Sequence, residues 1–176
     1  IYLRDAKTGL EVTLRYTVLE AFHAQACSVH FHNAGSETLL LERALSCALN
    51  LPGEWELLHL HGAWSRERQP ERLAIPHATF TLRSNRGASG HEPNPFLALL
   101  SPTADDRQGE VWGVSLVWSG SFVMEVNRDA RDHVRLVAGL DPCDWRLKPG
   151  EDFHTPETVL VRSDCGLNGM SQRFHA

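Results

Sequence analysis

No stretch of this sequence comes close to the roughly 20 consecutive apolar residues that a membrane-spanning helix requires, and no membrane partner is expected. An excess of positive charge is also missing. Lys and Arg number 17 against 22 Asp and Glu, giving a formal charge of -5 and no basic stripe, so nucleic acid is not an expected partner. Cysteine is sparse: Cys27, Cys47, Cys143 and Cys165 are scattered and form no CxxC pair. That spacing suits neither a zinc site nor a disulfide framework, and it reads as reduced, mostly buried small residues of a cytoplasmic protein. The phosphate-binding loop, the dinucleotide fingerprint and the GxSxG elbow are absent, so no cofactor is expected. There are no internal repeats and no low-complexity segment. A signal-peptide pattern is lacking, and the first residues, "IYLRD", include no methionine, as a piece of a longer polypeptide would show.

What is present is a chain of 176 residues, 42% apolar and 22% charged, long enough for one domain with a substantial core. Leu10, Val12, Leu14, Tyr16 and Val18 alternate with Glu11, Thr13, Arg15 and Thr17, a period of two that predicts a strand with one dry face. Cys27, Val29 and Phe31 alternate with Ser28, His30 and His32 in the same way. Shorter runs follow at "ATFTLR", "EVWGVSLVW", "SFVMEVN", "HVRLVAG" and "ETVLVR", separated by turn signals such as Trp118-Ser119-Gly120 and Lys148-Pro149-Gly150. Many short strands at this spacing predict an all-β sandwich or barrel. The segment "ETLLLERALSCALNL", residues 37–51, has helical composition, but sheet context overrides propensity and a strand is expected. Read at period two it places Leu39, Leu41, Leu45, Cys47 and Leu49 on one face, with Arg43 intruding. At the C-terminus the alternation stops, and Met170, Phe174 and His175 fall at helical spacing.

Ten histidines raise a metal hypothesis. "HFHNAGSE" carries the HxH-x4-E spacing of cupin metal ligands, which would be His30, His32 and Glu37 on a β-barrel. Ala24 stands where that pattern has glycine, however, and its downstream half is missing, so no metal is expected. Glycoside hydrolysis needs two carboxyl groups flanking the scissile bond. Asp141, Asp144 and Asp164 each lack a convincing partner, and Asp141 before Pro142 reads equally as a turn residue. No catalytic residue is therefore expected in this chain. One loop, "SNRGASGHEPNPF", is unusually rich in restricted and polar residues. Gly87 and Gly90 permit backbone angles closed to other residues, and Pro93 and Pro95 stiffen the exit. Arg86, His91 and Asn94 then become candidate fixed hydrogen-bonding anchors.

Several segments taken together resemble the N-terminal β-sandwich domain of bacterial α-galactosidases of glycoside hydrolase family 36. They include "GLEVTLRYTV", "HLHGAWSRERQPER", "SNRGASGHEPNPFLALL", "QGEVWGVSLVWSGSF" and "DPCDWRLKPGEDFHTPETVLVRSDCGLNGMSQRFH", in the family's order and across nearly the whole chain. "RGASGHEPNPF" and "SDCGLNGMSQ" are the most specific of them; Gly90 departs from the family's usual serine. The resemblance implies an all-β supersandwich of galactose-mutarotase type, two packed and mainly antiparallel sheets over residues 1–163, lacking its first strands. Residues 164–176 would begin the linker and helix leading to a (β/α)8 catalytic barrel that carries both catalytic aspartates. It also implies retaining hydrolysis of terminal α-galactosides such as melibiose and raffinose by the full protein, a homo-oligomer. Trp64, following the small residues Gly62 and Ala63, takes the family's sugar-stacking position at the mouth of the barrel. Arg66 and its neighbours Glu67 and Arg68 would brace that hairpin or meet a neighbouring subunit. Relatives acting on α-N-acetylgalactosamine or transferring galactose share this domain. The alternatives of another class are a free-standing galactoside-binding module and a cupin-like metalloprotein.

Overall fold

A segment with an apolar residue at every second position has one face to bury, and pairing its backbone in a sheet satisfies the remaining polar groups. The computed structural model describes residues 1–90 and 92–176. In chain order the strands are β1 (Tyr2–Arg4), β2 (Leu10–Leu19), β3 (Ala24–Asn33), β4 (Leu39–Leu41) and β5 (Ala44–Leu51). Then come β6 (Glu56–Ala63), β7 (Arg66–Ala74), β8 (Thr79–Ser84), β9 (Phe96–Leu100) and β10 (Val111–Val117). The chain continues through β11 (Phe122–Arg128), β12 (Val134–Leu140), β13 (Trp145–Leu147), β14 (Asp152–His154) and β15 (Glu157–Ser163), and finishes with helix α1 (Gly166–His175).

The strands form a nine-stranded sheet ordered β1-β2-β3-β15-β10-β9-β6-β7, with β14 pairing β3 beyond the end of β15. A four-stranded sheet ordered β5-β12-β11-β8 packs on it, and β13 pairs β4 in a short ribbon. Every strand pairing is antiparallel, so the all-β, two-sheet expectation holds. The core between the sheets joins Leu57, Leu97, Leu99, Val114 and Leu116 of the large sheet to Leu82, Met124, Val126, Val134 and Leu136 of the small one. Behind the large sheet a second core of Leu58, Ala98, Leu100, Val111 and Val161 lies under α1 through Met170. This explains the unbroken run "FLALL": β9 is buried on both faces, so both sets of alternating side chains are apolar.

Helix α1 therefore folds back onto the sheet. Gly113 makes room for it, since a Cβ there would lie 2.6 Å from Met170 Sδ and 2.5 Å from the Phe174 ring. The first helical amides find carbonyls in the 105–109 loop: Gly166 N–H bonds Gly109 O, Leu167 N–H bonds Asp105 O, and Asn168 N–H bonds Asp106 O. These bonds replace a side-chain cap.

Two sequence expectations need revision. Residues 37–51 are strands, as expected, but they split between the ribbon and the small sheet at Glu42 and Arg43. Within β5 a register shift opposite Ala138 and Gly139 changes the phase of alternation. Ala44 and Ser46 are buried before it, Cys47 and Leu51 after it, and Leu45 lies half-buried outside the core. A bulge moves every later side chain to the other face, and period counting alone does not register it. The second revision concerns β2. Its expected dry face is only partly covered, with Tyr16 54% and Val18 72% exposed, because the four strands of the small sheet do not extend over it. Cysteine burial also differs along the chain: Cys27 and Cys47 are buried, Cys143 is intermediate and Cys165 is exposed.

Candidate functional site

Strand register places three irregular segments at one end of the large sheet. His59, Leu97, Val114 and Leu160 form one row across β6, β9, β10 and β15. From that row β6 runs on to the tip at Trp64, and β10 runs on to the turn at Trp118. The 85–95 loop enters β9 beside them.

At the first of these, β6 and β7 form a hairpin whose apex is Trp64-Ser65. Ser65 takes a left-handed conformation at φ 70°, and its N–H donates to Glu67 Oε1 at 3.0 Å. Gly62 lies under the opposite strand: a Cβ there would approach Arg66 O to 2.6 Å and Glu67 Cα to 2.9 Å. The register slips between His61 and Ala63, and Arg68 is left-handed at φ 54°. The backbone of the hairpin is thus closely specified while Trp64 is 86% exposed. An indole presents a broad apolar face with one polar N–H, which suits stacking against the C–H face of a sugar.

The 85–95 loop is held chiefly by the β10–β11 turn. Ser89 N–H donates to Ser119 O at 2.7 Å, Gly87 N–H to Ser121 Oγ at 2.9 Å, and the Ser89 hydroxyl to Trp118 O at 3.3 Å. Ser84 closes the loop's base by donating to Ala88 O at 2.7 Å. Gly87 uses its conformational freedom at φ 74°, whereas Gly90 does not take a left-handed angle. Trp118 lies over Gly120, where a Cβ would meet its Nε1 at 2.6 Å, and that Nε1 donates to Ser121 O at 3.0 Å. Among the described residues Arg66, Arg68 and Arg86 make no ion pair, and Asn94 contributes its carbonyl to Phe96 N–H. Asn94 and Arg68 line the same groove, with Leu60, Phe96 and Phe174 along its apolar wall. His91 lies outside the described residues. The bonds of Ser84, Ser89 and Ser121 were not expected; the serines flanking Gly120, in the turn that Trp118-Ser119-Gly120 signals, were the available cue.

The other candidates have ordinary partners. His30 Nε2 and His32 Nδ1 both meet Asp152 Oδ1, at 2.7 and 3.0 Å. Those two bonds hold the Asp152 carboxyl below its usual range. His154 stacks on His30 with ring centres 4.2 Å apart. Glu37 contributes its backbone carbonyl to Asn33 Nδ2. Among the described residues no group of three or more His, Cys, Asp or Glu side chains is placed to hold a metal ion. Asp141 pairs with Arg43 at 3.1 Å and Arg83 at 3.2 Å on the outer side of the small sheet. Asp164 is held below the usual carboxylate range, first by its own backbone N–H and then by the Cys165 thiol. An aspartate so stabilised as the anion is poorly suited to donate a proton.

Comparison with known proteins gives this rim a context. The model of the glycosyl hydrolase family 36 N-terminal domain matches residues 1–148. The chain belongs to that family. Alpha-galactosidase AgaA of Geobacillus stearothermophilus is 47% identical over 99% of the chain, and alpha-galactosidase Mel36A of Lactobacillus acidophilus is 36% identical over 100% of it. The chain spans about a quarter of their length, 24% in each case. The crystal structure of an AgaA variant in complex with stachyose superposes with a TM-score of 0.96 over 99% of the chain and 25% of that protein, at 47% identity. A galactose mutarotase-like protein from Lactobacillus casei shares the fold alone, at 10% identity and a TM-score of 0.50. The family membership and supersandwich fold inferred from "RGASGHEPNPF" and "SDCGLNGMSQ" are thereby established. Among the described residues no helix is long and apolar enough to cross a membrane.

Proposed function

We propose that this chain is the N-terminal accessory domain of an α-galactosidase, a retaining hydrolase of terminal α-galactosides such as melibiose and raffinose. The observation that carries the reading is the 47% identity, over 99% of the chain, to the N-terminal quarter of an α-galactosidase crystallised with stachyose. In this reading the catalytic aspartates lie on a barrel that follows residues 164–176, and residues 1–163 form the sandwich. Trp64 supplies an indole face to the substrate at the barrel mouth. Its 86% exposure on a hairpin fixed by Gly62 and Ser65 supports that role. Arg66 braces the hairpin or meets a neighbouring subunit, and Arg86, His91 and Asn94 fix the adjoining loop. Cytoplasmic location and homo-oligomeric assembly belong to the same reading.

The test compares the full-length enzyme with the present chain. The full-length protein should release galactose from melibiose and raffinose, whereas the chain alone should release none and show no binding of either sugar by calorimetry. Replacing Trp64 by alanine in the full-length protein should raise KM about tenfold, the loss of one stacking contact of about 1.4 kcal/mol, with a smaller change in kcat. Tight galactoside binding by the isolated chain would favour the free-standing module instead. Unchanged KM in the Trp64 variant would remove that residue from the site.

A further inference from the structure

A polar seam runs through the largely apolar core between the sheets. Cys27 on β3 is 2% exposed and Cys47 on β5 is 7% exposed, and they belong to the same cluster from opposite sheets. Strand β5 packs directly against β3 across the gap, and the two thiols interact there. Gln25 Nε2 also donates to Cys27 Sγ at 3.3 Å. The cross-strand neighbours of Cys27 are Tyr16 and Thr158, and Ser46 precedes Cys47. The hydroxyls of Thr158 and Ser46 are buried without a partner among the described residues. Packed sheets stand about 10 Å apart, a gap that the inter-sheet disulfide of immunoglobulin sandwiches also spans.

The two thiols are unlike. The contact with Cys47 favours the Cys27 thiolate and draws that group down to about 7, against the opposing effect of burial. The same contact, with burial, pushes the Cys47 thiol well above its ordinary value. One sulfur is set up as a nucleophile and the other keeps its proton beside it.

We infer that Cys27 and Cys47 are an inter-sheet dithiol that hydrogen peroxide converts to a disulfide, locking the large sheet to the small one. In the first step the Cys27 thiolate attacks one peroxide oxygen. The O–O bond breaks, Cys27 becomes a sulfenic acid, and hydroxide leaves and takes up a proton as water. In the second step the Cys47 sulfur attacks the Cys27 sulfur. The S–OH bond breaks, the Cys47 proton leaves with the hydroxyl as a second water, and the S–S bond forms. In all, two thiols lose two electrons and two hydrogens, and one peroxide becomes two waters. Peroxide is close to water in size, so a brief local opening along the seam admits it.

The experiment treats the folded protein with hydrogen peroxide, alkylates residual thiols under denaturing conditions, digests without reduction and maps the peptides by mass spectrometry. A peptide joining Cys27 to Cys47, about 2 Da lighter than the sum of its thiol parts, is the expected product. It should vanish on treatment with dithiothreitol. The oxidised protein should melt on the order of 5 °C higher than the reduced one, and a Cys47→Ala variant should show no such rise. Recovery of both cysteines as alkylated thiols after exposed Cys165 is fully oxidised would overturn the inference. So would Cys27 found as sulfinic acid beside a free Cys47, or an equal rise in the variant. The peptide map uses the native sequence and stands even where the variant fails to fold.

Discussion

The centre of the large sheet and its rim are built on opposite plans. In β9, Leu97 and Leu99 face the inter-sheet core and Ala98 and Leu100 face α1, and all four are fully buried. At the rim the backbone is equally determined, by Gly62, Ser65 and the serine bonds of the loop, yet the largest side chain, Trp64, stays in solvent. A strand buried on both faces is complete within this chain. A fixed hairpin that holds an indole out from the surface leaves most of that apolar face in solvent. Flanking strand β2 repeats the lesson, since Tyr16 and Val18 continue its inward phase and remain open. The sharpest way to break the contrast is to cut into the centre. Leu99→Ala should cost about 3 kcal/mol from lost burial and the cavity it leaves. The urea unfolding midpoint should fall accordingly, and a loss under about 1 kcal/mol would mean that this layer is far less tightly packed than its burial indicates.

How much of this was legible beforehand follows from the range of the interactions. Strands with clear alternation, such as β2 and β3, and the double burial of "FLALL" are written locally, since each residue's partners repeat along the strand. The bulge in β5 was not legible, because it is set by Gly139 on a strand about ninety residues later. The helix was visible in its spacing, but its return onto Gly113 was not. In the candidate site the exposure of the Trp64 indole was legible from its small neighbours Gly62 and Ala63. The loop's true hydrogen bonds were not, because Ser121 lies 34 residues from Gly87 and nothing local announces the pairing. Arg86, the more conspicuous side chain of that loop, makes no ion pair among the described residues.

That difference sharpens into a second, smaller effect. Ser121→Ala removes the acceptor of Gly87 N–H and should cost about 1 kcal/mol. The loss should be local. Amide hydrogen exchange should speed up through residues 85–90 while Leu97 to Leu100 keep their protection. Uniform acceleration across both regions would show that the loop and the sheet centre open as one unit.

Between the two plans sits His59, at the edge of the core, with Nε2 3.2 Å from Glu71 Oε2 and its ring against Phe80. Burial lowers its pKa from the ordinary 6.5 and outweighs the attraction of Glu71. The folded state therefore holds His59 neutral where the unfolded chain already takes up a proton. Stability from this group is fully present above pH 6.5 and is lost as pH falls below that value toward the folded constant. His154, lowered chiefly by burial and then by His30, acts in the same direction. The unfolding midpoint should decline from pH 7 to pH 5, and His59→Leu should flatten part of that decline. An unaltered slope in the variant would place the acid sensitivity elsewhere.

The smallest expected effect on stability is the one that tests the plan of the rim. Trp64 is 86% exposed, so Trp64→Ala removes little buried area and should shift the unfolding free energy by no more than about 0.5 kcal/mol. An ordinary core tryptophan would cost several times that. The full-length enzyme should nonetheless lose galactoside affinity, because the indole's apolar face would be desolvated only when substrate stacks on it. A stability loss comparable to that of Leu99→Ala, with unaltered kinetics, would make Trp64 a packing residue and leave the hairpin's fixed backbone without a ligand to explain it.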